Sequence, residues 1–114
     1  MKLIIAVIQP EELPYIKEEL LKKEIYKFTV TYAKGQGKEI PVQEIYRGLA
    51  HEITLLKKIR LEIAVNDEYV DAVVDAITTV AKKDGDKARG KIFILPIEEC
   101  IRIRTGEKGS DAIG

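Results

Sequence analysis

Two short stretches join glycine to cations in a way that suits an anion. In Gly35-Gln36-Gly37-Lys38, two glycines flank one residue and a lysine follows. Glycines let backbone amides approach an anion closely, and the lysine supplies charge. Glycines at a strand end also mark ordinary turns, and that reading stays open. The second stretch, Lys87-Ala88-Arg89-Gly90-Lys91, leads into an apolar segment. Beyond it, Arg102 and Arg104 are two residues apart in Ile101-Arg102-Ile103-Arg104, which places both on one face of an extended chain. Guanidinium groups held in parallel suit bidentate phosphate recognition. A solvated strand face is the plainer alternative. Neither stretch matches the dinucleotide or P-loop fingerprint.

Other chemistries find little support. His51 is the only histidine and has no second metal ligand near it in sequence. Cys100 is the only cysteine, so an internal disulfide is excluded, and its expected role is packing. Glu39 and Glu52 lack a partner for acid–base work, and no Ser-His-Asp arrangement stands out.

The elements that must position these residues follow from periodicity. Leu3 to Ile8 is a continuous apolar run, which predicts a buried strand. Pro10 to Lys23 predicts a helix with Leu13, Ile16 and Leu20 on one face; Pro14 is tolerable only in its first turn. Ile25 to Lys34 alternates, with Tyr26, Phe28, Val30 and Tyr32 toward the helices and Lys27, Thr29 and Thr31 away. Lys34 to Lys58 then carries no core pattern, and a loop this long in a small domain is functional or disordered. Ile59 to Val65 is a second alternating strand, with Arg60 and Glu62 on its polar face. Asn66 reads as an N-cap, followed by a helix striped with Val70, Val73, Val74, Ile77, Val80 and Ala81. Lys82 to Gly90 is a polar loop, Lys91 to Leu95 a buried strand ended by Pro96, and Ile101 to Arg104 a short strand or extended tail. Thr105 to Gly114 reads as polar and mobile.

Bulk composition narrows the class. With 114 residues, 46% of them hydrophobic, the chain suits one domain with a modest core. No apolar run approaches a bilayer span and no signal-peptide pattern is present, so the cytoplasm is expected. Equal counts of basic and acidic residues, 19 each, argue against nonspecific nucleic-acid binding. An RNA-binding sheet would want stacking aromatics on its open face, whereas Tyr26 and Phe28 fall in the helix-facing pattern. The charged fraction of 33%, rich in Lys and Glu, with a single Asn, suggests a thermophilic source.

The halves repeat. Leu3-Ile4-Ile5-Ala6-Val7 matches Leu61-Glu62-Ile63-Ala64-Val65, and each is followed by a helix and a strand. The expected fold is α+β, a ferredoxin-like βαββαβ sandwich over residues 1–114 with a long loop between strands two and three and a short C-terminal strand. The open sheet face should be polar and should meet either solvent or copies of itself.

These residues resemble the PII signal-transduction family over nearly the whole chain. Ile4, Ala6, Ile8 and Pro10 match its opening, and Thr29-Val30-Thr31, Lys34-Gly35-x-Gly37, Glu44-x-Tyr46-Arg47-Gly48 and Lys58 follow its pattern. So do Glu62-Ile63, Gly90-Lys91-Ile92-Phe93 and Ile101-Arg102-Ile103-Arg104-Thr105-Gly106. The resemblance implies a homotrimer with ATP or ADP bound between subunits, and a non-enzymatic regulator that acts on an ammonium transporter-like membrane protein or a metabolic enzyme. It implies that Thr29, Glu62 and Ala64 hold adenine, while Gly37, Lys38, Arg89, Gly90, Lys91, Arg102 and Arg104 hold phosphates. Glu39 and Lys58 would lie at a 2-oxoglutarate and magnesium position, and Tyr46, Arg47, Gly48 and His51 in the partner-binding loop, about residues 35–57.

The departures set expectations too. Glu39 stands where the family usually has a magnesium-ligating glutamine, so 2-oxoglutarate should bind weakly or not at all. His51 stands where some bacterial members carry a uridylylated tyrosine, so that modification is excluded there. The phosphate loop, about 82–91, is one residue longer than usual and has Ala88-Arg89 in place of Gly-Asp. The alternatives are a sensor of another ligand such as AMP, an acylphosphatase-like hydrolase and a metal-tolerance trimer. A hydrolase of that kind needs an asparagine beside its phosphate turn, and Asn66 is better spent as a cap.

Overall fold

The computed structural model describes residues 1–36, 55–85 and 90–114. Gly37, Lys38, Glu39, Tyr46, Arg47, Gly48, His51 and Arg89 lie outside the described residues.

Strand β1 (Lys2–Ile8) leads through a 3-10 turn (Pro10–Glu12) into helix α1 (Leu13–Lys22). Pro14 occupies the first turn of α1, where its missing amide has no intrahelical acceptor to lose. Strands β2 (Thr29–Gly35) and β3 (Leu56–Val65) follow, then a 3-10 turn (Asp67–Tyr69) and helix α2 (Val70–Lys83). Strand β4 (Ile92–Pro96) and a short helix α3 (Ser110–Ile113) complete the chain. The sheet order is β2-β3-β1-β4, with every neighbouring pair antiparallel. Each βαβ unit therefore straddles one inserted strand, which is the ferredoxin-like plan expected from the sequence.

Alternation decides the layers. Ile4, Ala6 and Ile8 of β1 and Ile59, Leu61, Ile63 and Val65 of β3 are buried on one face. Ile16 and Leu20 of α1, and Val73, Ala76, Ile77 and Val80 of α2, close over them. Each of the buried Ile, Leu and Val side chains contributes about 1.5–3 kcal/mol through burial, which offsets the poor helix propensity of the valines in α2.

Four expectations change. First, β2 starts at Thr29 rather than near Ile25. Helix α1 ends with Glu24 at φ 60 while the Ile25 N–H donates to the Leu20 carbonyl at 3.0 Å, a turn that leaves 26–28 as a connector. Tyr26 is consequently exposed, and so is Tyr32, which lies on the sheet edge beyond the cover of the helices. Second, β4 is no buried strand: Phe93, Ile94 and Leu95 are 51, 48 and 41% exposed. Third, residues 101–104 form no strand. Ile101 bridges to Lys108, and 103–105 is a turn closed by Gly106 N–H donating to the Arg102 carbonyl at 2.7 Å. Fourth, the C-terminal segment folds back as α3 instead of trailing.

The open face is also less polar than expected. Thr29, Thr31, Arg60 and Glu62 cover only its β2–β3 half, and Lys27 precedes the strand. On the β1–β4 half, Leu3 pairs with Leu95 and Ile5 with Phe93, and among the described residues no element covers Phe93 and Leu95. The unbroken apolar run of β1 carried this signal, since a strand apolar on both faces is suited to burial on both.

Candidate functional site

The candidate residues gather at two opposite ends of the sheet. At the first end, β1 finishes at Ile8 and β2 at Gly35. Ala33 of β2 is paired with Lys58, which is only 9% exposed. A Cβ on Gly35 would come within 3.3 Å of Lys58 Cγ, so small residues on β2 make room for the lysine stem. Gly90 lies against the same end with φ 106, and a Cβ there would sit 2.1 Å from the Val7 carbonyl oxygen. Only glycine fits this approach. Lys91 follows, exposed, on the rim of a cavity of ≈ 270 Å³ that Glu12, Val7 and Ile8 also line. The first end thus offers close backbone approach and a cation, which fits a phosphate.

At the second end, Thr29 is paired with Glu62, and Ala64 follows on the same face. Arg60 Nε donates to Glu62 Oε1 at 2.7 Å, which partly neutralises that carboxylate. The tail reaches this end too. Asn66 Nδ2 donates to the Ser110 carbonyl at 3.1 Å, and Lys27 Nζ donates to the Gly114 carbonyl at 3.0 Å. Asn66 sits at the N-cap position, but its side chain makes no capping hydrogen bond; it holds the tail instead. Arg102 is wrapped by that tail. One terminal nitrogen donates to the Asp111 and Gly114 carbonyls at 3.1 and 3.0 Å, and the other pairs with Glu107 at 3.3 Å. Arg104 is exposed in the neighbouring turn.

The expected phosphate set is therefore divided. Gly90 and Lys91 stand at the first end, whereas Arg102 and Arg104 stand at the second. Gly35 lies six steps along β2 from Thr29, a span of about 20 Å. Residue reading alone missed three features: the structural work of Lys27 and Asn66, the apolar half of the open face, and the burial of Glu12. Among the described residues, no group of three or more His, Cys, Asp or Glu side chains could hold a metal ion. Likewise, no helix among them is long and apolar enough to cross a membrane.

The described elements make a ferredoxin-like fold with candidate residues at both ends of its sheet. Residues 1–107 match the family model for nitrogen regulatory protein P-II. Nitrogen regulatory protein GlnK1 of Methanosarcina mazei is 48% identical over 114 residues, covering 99% of this chain and 97% of that protein. Nitrogen regulatory protein P-II 2 of Methanothermobacter thermautotrophicus is 45% identical over 113 residues, with the same coverage of 99% and 97%. Nitrogen regulatory protein P-II of Cereibacter sphaeroides is 43% identical over 115 residues and is matched along its full length. The chain belongs to the P-II nitrogen regulatory family, whose members are non-enzymatic signal transducers.

Proposed function

We propose that the chain acts as a homotrimeric, cytoplasmic sensor that binds ATP or ADP in clefts between subunits and reports nitrogen status through its long loop. One observation carries this reading: Gly90 and Lys91 lie at one end of the sheet and Thr29, Glu62, Ala64, Arg102 and Arg104 at the other, so a second copy would be needed to complete a site. Gly37, Lys38, Arg89, Gly90 and Lys91 of one copy would face Arg102 and Arg104 of the next across the phosphates. Thr29, Glu62 and Ala64 of that second copy would hold the adenine. The uncovered apolar half of the open face, Leu3, Ile5, Phe93 and Leu95, supports association of copies.

A single 1–114 domain would then carry an effector loop at about 35–57, and a nucleotide touching Gly37 to Glu39 would favour one loop arrangement. Tyr46, Arg47, Gly48 and His51 would meet the partner, an ammonium transporter-like protein at the membrane or a metabolic enzyme. Lys58, its stem packed beneath Gly35, would stand beside a 2-oxoglutarate position that Glu39 disfavours unless magnesium bridges the two.

Calorimetry with ATP, ADP and AMP tests the reading. The expected result is saturable binding of at least ATP or ADP; binding of none would overturn it, and AMP alone would favour the alternative sensor. 2-Oxoglutarate should add little heat to the ATP–magnesium complex, and Glu39→Gln should increase it.

A further inference from the structure

Segment 107–114 is held by polar ties rather than by the core. Helix α3 has four residues and buries none of them. Ile113 and Gly114 share the lining of a cavity of ≈ 240 Å³ with Ile25, Tyr26, Val65 and Tyr69, so the segment spans a hollow instead of filling one. Unfilled space forfeits the dispersion contacts that stabilise close packing. The ties come from three separate places in the chain. Lys27, in the connector after α1, donates from Nζ to the Gly114 carbonyl at 3.0 Å. Asn66, which precedes the 3-10 turn before α2, donates from Nδ2 to the Ser110 carbonyl at 3.1 Å. Arg102 holds the Asp111 and Gly114 carbonyls at 3.1 and 3.0 Å and the Glu107 carboxylate at 3.3 Å.

These acceptors occupy Arg102 but suit it less well than a phosphate would. The two carbonyls share one terminal nitrogen, whereas a phosphate presents charged oxygens to both terminal nitrogens at once. The Arg102 side chain is 35% exposed, so an anion can reach it. An anion there would stand beside the Glu107 carboxylate and repel it. We propose that segment 107–114 is an autoinhibitory strap, which occupies Arg102 in the ligand-free chain and is displaced when a phosphate takes that guanidinium. That the phosphate belongs to a nucleotide rests on the reading above; the competition for Arg102 does not.

Lys27 and Asn66 set the strength of the strap without touching the anion. A site that is competent only while the strap is open has its apparent affinity lowered by the open fraction. Loosening either tie enlarges that fraction and tightens binding. A neutral nucleoside brings no charge to Arg102 and leaves the strap in place.

The test joins NMR to calorimetry on the full chain. The Ala112 N–H, which donates to the Gly109 carbonyl at 3.0 Å, reports on the strap through its heteronuclear NOE. ATP and tripolyphosphate should both lower that NOE, and adenosine should not. Lys27→Met and Asn66→Ala should each lower it without ligand and tighten ATP binding about two- to tenfold, the range of one lost hydrogen bond. Neither substitution removes a capping bond or a buried side chain. The proposal is overturned by an NOE that ATP raises, because the segment then closes over the ligand. It is also overturned by an NOE that neither polyanion moves, or by variants whose segment stays fixed or whose ATP affinity fails to rise. Tripolyphosphate that frees the segment while ATP shows no binding would sink the nucleotide reading and leave the strap. ATP that binds with the segment unmoved would do the reverse.

Discussion

Gly90 shows how one residue can bind a loop to a sheet. At φ 106, with the Val7 carbonyl where a Cβ would lie, it tolerates no side chain. Gly90→Ala should cost about 1–3 kcal/mol in a denaturant midpoint series, because the strain cannot relax without lifting the loop. Its nucleotide heat should fall as well. Gly85, also at positive φ but with nothing near its missing Cβ, should give a smaller loss on the same substitution. Arg102 makes a different point. Its guanidinium is occupied by the Asp111 and Gly114 carbonyls and by Glu107. A phosphate arriving there would have to exchange with those acceptors rather than fill an empty fork.

At the level of elements, the ends differed from expectation more than the middles. The stripe of α2 and the alternation of β3 follow from side-chain period, and burial tracks both. The start of β2 does not, because it is set by how α1 stops. Glu24 takes a left-handed conformation that usually favours glycine at a helix end. Glu24→Gly should therefore raise stability by ~0.5–1 kcal/mol in thermal or denaturant unfolding, as the relieved strain exceeds the added unfolded-state entropy. The Ile101-Arg102-Ile103-Arg104 alternation looked like a strand, but among the described residues only an isolated bridge from Ile101 to Lys108 pairs with it. Glycines at positive φ, Gly106 and Gly109, turn the chain back so that Lys108 meets Ile101 and α3 meets Asn66 and Lys27. Alternation records what a segment could do in a sheet, and an available edge decides whether it does.

For the molecule as a whole, the open face and the divided site make the same demand. Phe93 and Leu95 are exposed beside Ile5 and Leu3, and the Gly90–Lys91 end and the Thr29 end lie about 20 Å apart along β2. Under the proposed assembly, a charge at the centre of that apolar half should separate the copies. Phe93→Glu is expected to sediment as a monomer and to lose nucleotide heat together with assembly. A variant that stays trimeric, or a monomer that binds undiminished, would separate the two demands.

The sequence by itself determined the layers, the two repeated βαβ halves and the family, because side-chain period and motif spacing are local properties. It also placed glycine and cation at Gly35 and at Gly90-Lys91, where a close backbone approach can be read from residue type. Only the tertiary structure decided which of these residues could meet. It put Arg102 and Arg104 at the far end of the sheet from Gly90, left Phe93 and Leu95 exposed, and buried Glu12. Those outcomes depend on contacts between residues distant in sequence, about which local patterning carries no information.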